Sequence, residues 1–279
     1  SLGDWLAMGK GIAWQAMHNN PVSNAFVVHD LKVISETAER LGKKADADRY
    51  RRQLEATTKA YIEKFVSKKG IVAKDYQSAY IMALKFVLPE GELREQVKKN
   101  FAANIRKNGL QTGFFATEHL LPLLVEAGET ELAYDILLQE GCPGWMYQVK
   151  CGATTTWERW DALKPDGTVN EEKMAGSGDN MVSFNHYAFG SVGEFYYQYI
   201  LGIKPQKPGF AELHFEPYPD RRLGGVSGSY LSRAGKIESS WKYEEDGCHI
   251  SLNTPVKSEV VLPDGKKETV EAGTYQWLC

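Results

Sequence analysis

Residues 152–160 read G-A-T-T-T-W-E-R-W, which puts a carboxylate, Glu158, between two large aromatic residues, Trp157 and Trp160. Neither helix propensity nor strand alternation requires this arrangement. Apolar rings disfavour the charged form of a neighbouring carboxylate, which suits proton transfer near neutral pH. Flat indole faces also stack against the C–H surface of a sugar ring. The stretch predicts acid–base chemistry on a sugar. The alternative is that Glu158 pairs with an arginine and the tryptophans belong to a core.

A second group of polar residues lies in S-F-N-H-Y-A-F-G, residues 183–190. Here Asn185, His186 and Tyr187 stand where a loop is expected to become a helix, and side chains at such a helix start can face a cleft. A lone histidine is often a structural hydrogen-bonding group. With Asn185 and Tyr187 beside it, the pattern favours sugar binding.

Two further pairs of residues have open interpretations. Asp4-Trp5 is either a cap and an anchor or part of the same aromatic wall. Glu118-His119 follows T-G-F-F-A-T and is predicted to form the first turn of an apolar helix, with a place in the cleft as the alternative.

Apolar residues at helical spacing predict the elements that position these groups. The predicted helices cover about 22–41, 46–66, 75–88, 91–107, 116–127, 130–139 and 184–201. Their connections are short, so neighbouring helices should form antiparallel hairpins. Between them, residues 141–183 show no period and are rich in glycine, threonine and aromatic residues. An irregular stretch of that length in a compact domain is usually functional or disordered, and its aromatic content argues against disorder.

The sequence pattern changes after Gly202, where the proline-rich stretch K-P-Q-K-P-G-F predicts a hinge. Short alternating runs follow, separated by turns such as Glu245-Asp246-Gly247 and Pro263-Asp264-Gly265. We therefore predict an α+β chain with two domains: a mainly α domain at 1–202 and a small antiparallel β-sandwich at 203–279.

Composition narrows the range of functions. The chain has 279 residues, 25% of them charged, and a formal net charge of −3. No basic excess predicts a nucleic-acid partner, and no apolar run is long enough to span a bilayer. The four cysteines form no C-x-x-C pair and no metal spacing with histidine, so we expect neither a metal nor a cofactor. The sequence lacks an initiator methionine, so we expect a trimmed fragment and make no prediction of its compartment.

Several stretches resemble bacterial α-L-rhamnosidases of glycoside hydrolase family 78. In chain order they are G-D-W-L, T-G-F-F-A-T-E-H-L-L-P-L-L, P-G-W-M-Y, G-A-T-T-T-W-E-R-W-D and S-F-N-H-Y-A-F-G-S-V-G-E. The tail, with P-G-F, F-E-P-Y-P and G-K-I-E-S-S-W, is similar to that family's C-terminal β-sandwich. The resemblance covers essentially the whole chain.

The resemblance implies part of an (α/α)6 barrel that removes terminal L-rhamnose from glycosides with inversion. By matching residues, it implies that Glu158 is the general base, that His186 helps to hold the sugar and that Trp5 is a wall of the subsite. We add Asp4, Trp157, Trp160 and Asn185 as candidate substrate contacts. Trp157, Trp160 and Asp161 lie within the matching motif without an individual role.

Two departures from the family pattern matter. The sequence predicts about seven helices, fewer than six helical hairpins require. The family's general acid lies in an acidic stretch of the D-x-x-x-R-D-E-R kind upstream of G-D-W, and this sequence does not contain it. We therefore expect the chain alone to be nearly inactive and to associate through exposed half-barrel faces. The second departure is the loop from Glu158 to His186, where A-G-S-G-D-N at 175–180 reads as an insertion.

Other functions remain open from the sequence. One alternative is another (α/α)6 glycosidase acting on a different deoxy or neutral sugar, because one fold hosts several chemistries. The other is a non-catalytic carbohydrate-binding protein that keeps the aromatic sugar contacts.

Overall fold

The protein is described from a computed structural model, which covers residues 3–9, 14, 17–171 and 182–279. Contacts between backbone atoms divide the chain into two units, Ser1–Gly190 and Ser191–Cys279, named here the helical unit and the β unit. The insertion expected at 175–180 lies outside the described residues. No helix in the described ranges is long and apolar enough to cross a membrane.

Helices build the helical unit, as their apolar periodicity predicts. In chain order, the α-helices of the described ranges from Asn20 onward are α1 (Asn20–Arg40), α2 (Lys44–Phe65), α3 (Gln77–Met82), α4 (Glu92–Asn108), α5 (Phe114–Glu126), α6 (Thr130–Leu138), α7 (Trp145–Lys150) and α8 (Val192–Phe195). A π-helical turn, Ala83–Val87, extends α3, and another, Tyr196–Ile200, extends α8. The three residues between α1 and α2 and between α5 and α6 make each of these pairs a helical hairpin, which confirms the predicted architecture.

The core of the helical unit lies where the middle of the chain packs together. Helix α3 is buried throughout, and so are residues 120–125 of α5, while Tyr80, Phe101 and Tyr134 are fully enclosed. Burial on all sides explains why this part of α5, L-L-P-L-L-V, is entirely apolar.

All predicted helices except the last lie within a few residues of the observed ones. The predicted helix over 184–201 is wrong in its first part, because helical structure begins only at Ala188. Residues 183–186 instead pair with residues 156–158 through backbone hydrogen bonds, and this tertiary pairing overrides the local pattern. The sequence also missed α7, since six residues are too few to show a helical period.

The β unit contains two four-stranded sheets. Its strands are β1 (Ile203–Pro205), β2 (Leu213–Phe215), β3 (Gly225–Ser232), β4 (Gly235–Glu244), β5 (Gly247–Thr254), β6 (Ser258–Val261), β7 (Lys267–Val270) and β8 (Gly273–Leu278). The sheet orders are β1-β2-β6-β7 and β3-β4-β5-β8. Both predicted turns form hairpins, β4–β5 at residues 245–246 and β6–β7 at 262–266.

All strand pairings are antiparallel except that of β2 with β6. After β2 the chain leaves this sheet, forms β3, β4 and β5 in the other sheet and returns as β6. Such a crossover connection allows β2 and β6 to run parallel. The alternation of β4 turns Ile237, Ser239 and Trp241 inward. The π-helical turn Tyr196–Ile200 is part of the β unit and is bonded to β4, since Trp241 Nε1 donates to the Ile200 carbonyl at 2.7 Å. The boundary predicted after residue 202 stays a prediction.

Candidate active site

Two irregular segments run side by side and carry the residues singled out in the sequence. The Glu158 N–H donates to the Ser183 carbonyl at 2.8 Å, and the His186 N–H donates to the Thr156 carbonyl at 2.9 Å. The Thr156 hydroxyl returns a hydrogen bond to the His186 carbonyl at 2.7 Å. This two-stranded pairing places Glu158 and His186 on neighbouring stretches of backbone, although 27 residues separate them in the chain.

Glu158 is 8% exposed. Within the part of the chain that the structure describes, its carboxylate makes no hydrogen bond and no ion pair. The neighbouring cation, Arg159, binds Asp161 instead. The alternative in which an arginine neutralises Glu158 therefore finds no support among these contacts. The Glu158 oxygens are not among the enclosed polar atoms that lack a partner, so they are open to water at the end of a largely buried side chain, which makes this carboxylate a candidate for function.

The two tryptophans beside Glu158 belong to the packing underneath it. Trp160 is fully buried, stacks on Phe189 with ring centroids 3.8 Å apart and donates from Nε1 to the Thr112 carbonyl at 3.0 Å. Trp157 is 2% exposed and packs edge-on against Phe184. Rings without an open face cannot stack on a sugar. We therefore revise the role expected for Trp157 and Trp160 from substrate contact to support of the Glu158 loop.

His186 lies at the surface end of this packing, half-buried against the Phe114 ring at 4.7 Å and stacked on Tyr187 at 5.2 Å. The Ala188 N–H donates to its Nδ1 at 3.2 Å. An Nδ1 that accepts a hydrogen bond leaves the proton of the neutral ring on Nε2. His186 thus presents an N–H donor of the kind that a sugar hydroxyl accepts.

Asp4 is completely buried at the start of α5. One carboxylate oxygen accepts hydrogen bonds from the Ser78 hydroxyl at 2.6 Å and the Gly113 N–H at 2.7 Å. The other accepts from the N–H groups of Phe115 at 2.8 Å and Ala116 at 3.2 Å. Burial raises the pKa of the Asp4 carboxyl, and the four hydrogen bonds oppose that rise. With both oxygens engaged, Asp4 is an anchor, and its expected role as a substrate contact is revised accordingly.

The anchor fixes Trp5 next to the rest of the site. The Trp5 carbonyl accepts from the Phe114 N–H at 2.9 Å, and a Cβ on Gly113 would stand 2.1 Å from that carbonyl. Glycine at 113 is therefore required for the approach of the two segments. Phe114 therefore contacts both segments, since its N–H donates to the Trp5 carbonyl and its ring packs against His186.

The remaining candidates lie at different depths. Asn185 and Tyr187 are exposed, and Tyr187 shows 88% of its surface to solvent. His119 lies within α5 rather than in its first turn and packs edge-on against Phe86. Burial, then the charges of Lys85 and His29, lowers the pKa of His119 to about 4. No contact on the described residues joins His119 to Glu158 or His186.

Comparisons with known proteins agree with the arrangement of the two units. The family described as bacterial alpha-L-rhamnosidase 6 hairpin glycosidase domain matches residues 1–200. The bacterial alpha-L-rhamnosidase C-terminal domain matches residues 202–276. The chain belongs to the bacterial alpha-L-rhamnosidase family.

Rhamnosidases from several organisms are similar to the chain over nearly its full length. An alpha-L-rhamnosidase of Alteromonas sp. (strain LOR) is 35% identical over 94% of the chain, and one of Streptomyces avermitilis is 32% identical over 96%. These matches cover 29% and 25% of the two relatives, so the chain spans about a quarter of their length.

Solved rhamnosidase structures have the same fold. Native alfa-L-rhamnosidase from Aspergillus terreus superposes with a TM-score of 0.89 at 29% identity, covering 99% of this chain and 32% of that one. The Streptomyces avermitilis enzyme, crystallised in complex with L-rhamnose, gives a TM-score of 0.87 at 30% identity, with 99% and 28% covered.

Sequence reasoning missed several residues that shape this candidate site. The Phe114 ring packs against His186, the Thr156 hydroxyl donates to the His186 carbonyl, and the Ser78 hydroxyl donates to Asp4. The pattern T-G-F-F-A-T contains Phe114 next to the glycine that the Trp5 carbonyl requires, which is the one feature that pointed to it. Nothing in the sequence around Ser78 marks it, because its role depends on a partner 74 residues away.

Proposed function

We propose that this chain supplies the general base and part of the sugar subsite of an enzyme that hydrolyses terminal α-L-rhamnosides with inversion. The observation that carries the proposal is the Glu158 carboxylate, buried, without a partner among the described residues and set on a loop paired with that of His186. An unpaired carboxylate keeps its lone pairs available to accept a proton from water. The solved relative in complex with L-rhamnose supports the choice of sugar.

The described contacts support three sugar-binding residues near Glu158. His186 donates from Nε2 to a hydroxyl, and the half-buried Trp5, whose carbonyl accepts from the Phe114 N–H, offers an aromatic wall. Exposed Asn185 adds an amide that both donates and accepts. An aromatic wall with a few convergent polar groups is the usual composition of a sugar site.

Inverting hydrolysis requires a second carboxyl group. One carboxylic acid protonates the leaving oxygen while the other carboxylate activates water from the opposite face, and the two stand roughly 6.5–9.5 Å apart. The family pattern places that acid in a stretch that these 279 residues do not include. The isolated chain should therefore bind L-rhamnose weakly and hydrolyse rhamnosides hardly at all.

The test is Glu158→Gln in the intact protein that carries this chain. Glutamine keeps the shape of the side chain but cannot accept a proton, so kcat for an aryl α-L-rhamnoside should fall by roughly 10²–10⁴-fold. KM should change much less, since the neutral amide still holds the substrate. The matched control is Glu140→Gln, at an exposed glutamate that pairs with Lys150, which should leave both constants unchanged.

Two further measurements complete this test. The first sugar released should be the β-anomer, observed by NMR before mutarotation. Near-normal kcat in a stably folded Glu158→Gln variant would refute the assignment. A protein whose wild type binds L-rhamnose but releases none from any rhamnoside would instead be the non-catalytic binding protein considered above.

We also propose that the isolated chain associates through the exposed face of α1. Val27, Ile34 and Leu41 recur at intervals of seven residues, and each exposes more than 40% of its surface. Residues at this spacing form one apolar stripe along a helix, and exposed apolar patches favour association. Ile34→Glu should weaken self-association about tenfold or more in sedimentation experiments. Leu231→Glu, at a leucine of the β unit that is more exposed than Ile34, is the control.

A further inference from the structure

Two cysteines stand opposite each other at one end of the sheet β3-β4-β5-β8. The Cys248 N–H donates to the Cys279 carbonyl at 2.8 Å, and the Cys279 N–H donates to the Cys248 carbonyl at 3.0 Å. This exchange continues the antiparallel pairing of β5 with β8 by one step beyond His249 and Leu278. Cys248 and Cys279 therefore form a hydrogen-bonded pair of directly opposite residues, a pair whose Cα atoms stand about 5.5 Å apart.

The two thiols lie on the same face of this sheet, because directly opposite residues of an antiparallel pair point the same way. Cys248 is 3% exposed and alternates with outward-facing residues along β5, so its thiol belongs to the buried face. Cys279 is partly exposed. Burial raises the pKa of the Cys248 thiol, and the charge of a nearby Cys279 thiolate raises it further. Neither cysteine is in a disulfide.

The geometry of this pair allows a disulfide, although not a relaxed one. Cysteines joined by a disulfide have Cα atoms roughly 4.4–6.8 Å apart and Cβ atoms roughly 3.5–4.5 Å apart. A hydrogen-bonded pair meets the first condition, but its Cβ atoms stand about 5.5 Å apart, so the bond must draw the strands together by about 1 Å. A bond closed in this way is strained, and strained disulfides are readily reduced.

We propose that Cys248 and Cys279 form a reversible cross-strand disulfide on reaction with a small-molecule disulfide such as glutathione disulfide. In the sheet order, β8 lies at an edge and is bonded to β5 alone, so the new bond fastens the end of an edge strand. The bond also closes a loop of about 30 residues, which restricts the unfolded chain. Oxidation therefore stabilises the β unit, and reduction leaves β8 held by its backbone hydrogen bonds.

The bond forms in two exchange steps. Cys279, the more exposed thiol, loses its proton, and its sulfur attacks glutathione disulfide and expels one glutathione thiolate, which takes up a proton. The Cys248 thiolate then attacks the Cys279 sulfur of the mixed disulfide and expels the second glutathione. The two cysteines lose two electrons and two protons, and glutathione disulfide gains them as two thiols. Since burial raises the pKa of both cysteines above the ordinary value of 9.0, the rate should keep rising beyond pH 9.

The test is peptide mapping of the intact protein that carries this chain, after incubation with glutathione disulfide and alkylation of the remaining thiols. Mass spectrometry without reduction should find the peptides of Cys248 and Cys279 joined, and excess reduced glutathione should separate them again. Hydrogen exchange at the amides of β8 should slow by about tenfold on oxidation, because the linked strand opens less often. In Cys248→Ser both effects should be absent.

A shift of one thiol by a single residue provides the matched control. Cys279→Ser combined with Leu278→Cys keeps the number of thiols but turns one of them to the other face of the sheet. This variant should form no bond to Cys248. If it cross-links as readily as wild type, the opposed pairing does not decide the bond and the inference is overturned.

Three results in wild type would overturn the inference as well. No joined peptide at pH 9 would mean that the pair does not close. A product that stops at the mixed glutathione disulfide of Cys279 would mean that Cys248 cannot reach it. A bond from either cysteine to Cys142 or Cys151 would mean that the cross-strand pairing does not select the partner. None of these readouts measures hydrolysis, so they are independent of the function proposed above.

Discussion

Charged side chains are treated differently in the helical unit and in the β unit. In the helical unit, Asp4, Arg94 and Glu158 are each at least nine-tenths buried. In the β unit, the ion pairs Lys236–Glu238 and Lys242–Glu244 lie along one exposed strand, β4. The first kind of charge is enclosed by the protein, whereas the second is solvated on the surface.

The buried charges also differ among themselves. Asp4 accepts four hydrogen bonds, and Arg94 donates to the Leu84 and Leu88 carbonyls while it pairs with Glu90. Glu158 is the buried acid whose carboxylate lacks such partners among the described residues. Burial alone therefore does not distinguish Glu158 from the other two charges. The lack of a protein partner among the described residues does, and the proposed role rests on it.

The largest effect on stability should come from Asp4→Asn. In wild type, both carboxylate oxygens of Asp4 accept hydrogen bonds. An asparagine replaces one of these oxygens with an NH2 group, so the buried groups that donate to that oxygen lose their acceptor. Each such loss costs about 1–3 kcal/mol, and we expect the free energy of unfolding to fall by about 3 kcal/mol in urea titrations. Because Asp4 fixes Trp5, KM for the rhamnoside should rise in the intact protein as well.

Asp220 provides the matched comparison in the β unit. Its carboxylate caps one short 3-10 turn by accepting from the Arg222 N–H at 2.9 Å, on a more exposed site. Losing such a cap costs about 1 kcal/mol. If Asp4→Asn and Asp220→Asn lowered the free energy of unfolding equally, burial of the carboxylate would not affect how much it contributes to stability.

We expect a smaller effect, on the pH dependence of stability, from two histidines whose pKa values are shifted in opposite directions. Burial lowers the pKa of His119 to about 4, whereas a hydrogen bond to Glu216 raises the pKa of His214 above its ordinary value of 6.5. Neutral His119 stabilises the fold above pH 6.5, and this contribution is lost as the pH falls from 6.5 toward 4. The His214 contribution is present below pH 6.5 and is lost as the pH rises through its folded pKa.

Two variants measure these opposite slopes. In wild type, ring-proton NMR should show His119 titrating well below pH 5 and His214 above 6.5. His119→Gln should flatten the loss of stability between pH 6.5 and 4, and His214→Gln should flatten the loss above pH 6.5. Glu216, whose pKa the His214 hydrogen bond lowers to about 2, adds stability that disappears as the pH falls from 4.5 toward 2. If both histidines titrated near pH 6.5, the expected difference between their pKa values would be contradicted.

The sequence predicts most of this fold because local rules suffice for it. Apolar periodicity locates the helices of the hairpins, and Asp-Gly pairs mark the two hairpin turns. Strand β3 is less apparent in the sequence, since Gly225–Ser232 holds three serines and two glycines and lacks a strong apolar alternation.

The site is less predictable because its roles depend on distant contacts. The residue types around Glu158 indicate sugar chemistry, but they do not reveal that Trp160 stacks on Phe189 inside the protein. Asp4 has the sequence context of a substrate contact, and only its four donors from two other segments make it an anchor. The composition of the motif identifies the chemistry, while tertiary contacts decide which residues touch the substrate.

The smallest effect should come from Lys242→Ala on β4. Lys242 Nζ lies 2.9 Å from Glu244, and this contact lowers the pKa of the Glu244 carboxyl. Both side chains are exposed, so water and salt screen their attraction, and ordering two long side chains opposes it. We expect the thermal midpoint of Lys242→Ala to equal that of wild type at both low and high salt. Destabilisation on the scale of Asp4→Asn would mean that contact distance, rather than burial, decides what a charge contributes. Burial could then no longer be used to distinguish Glu158 from the acids on the surface.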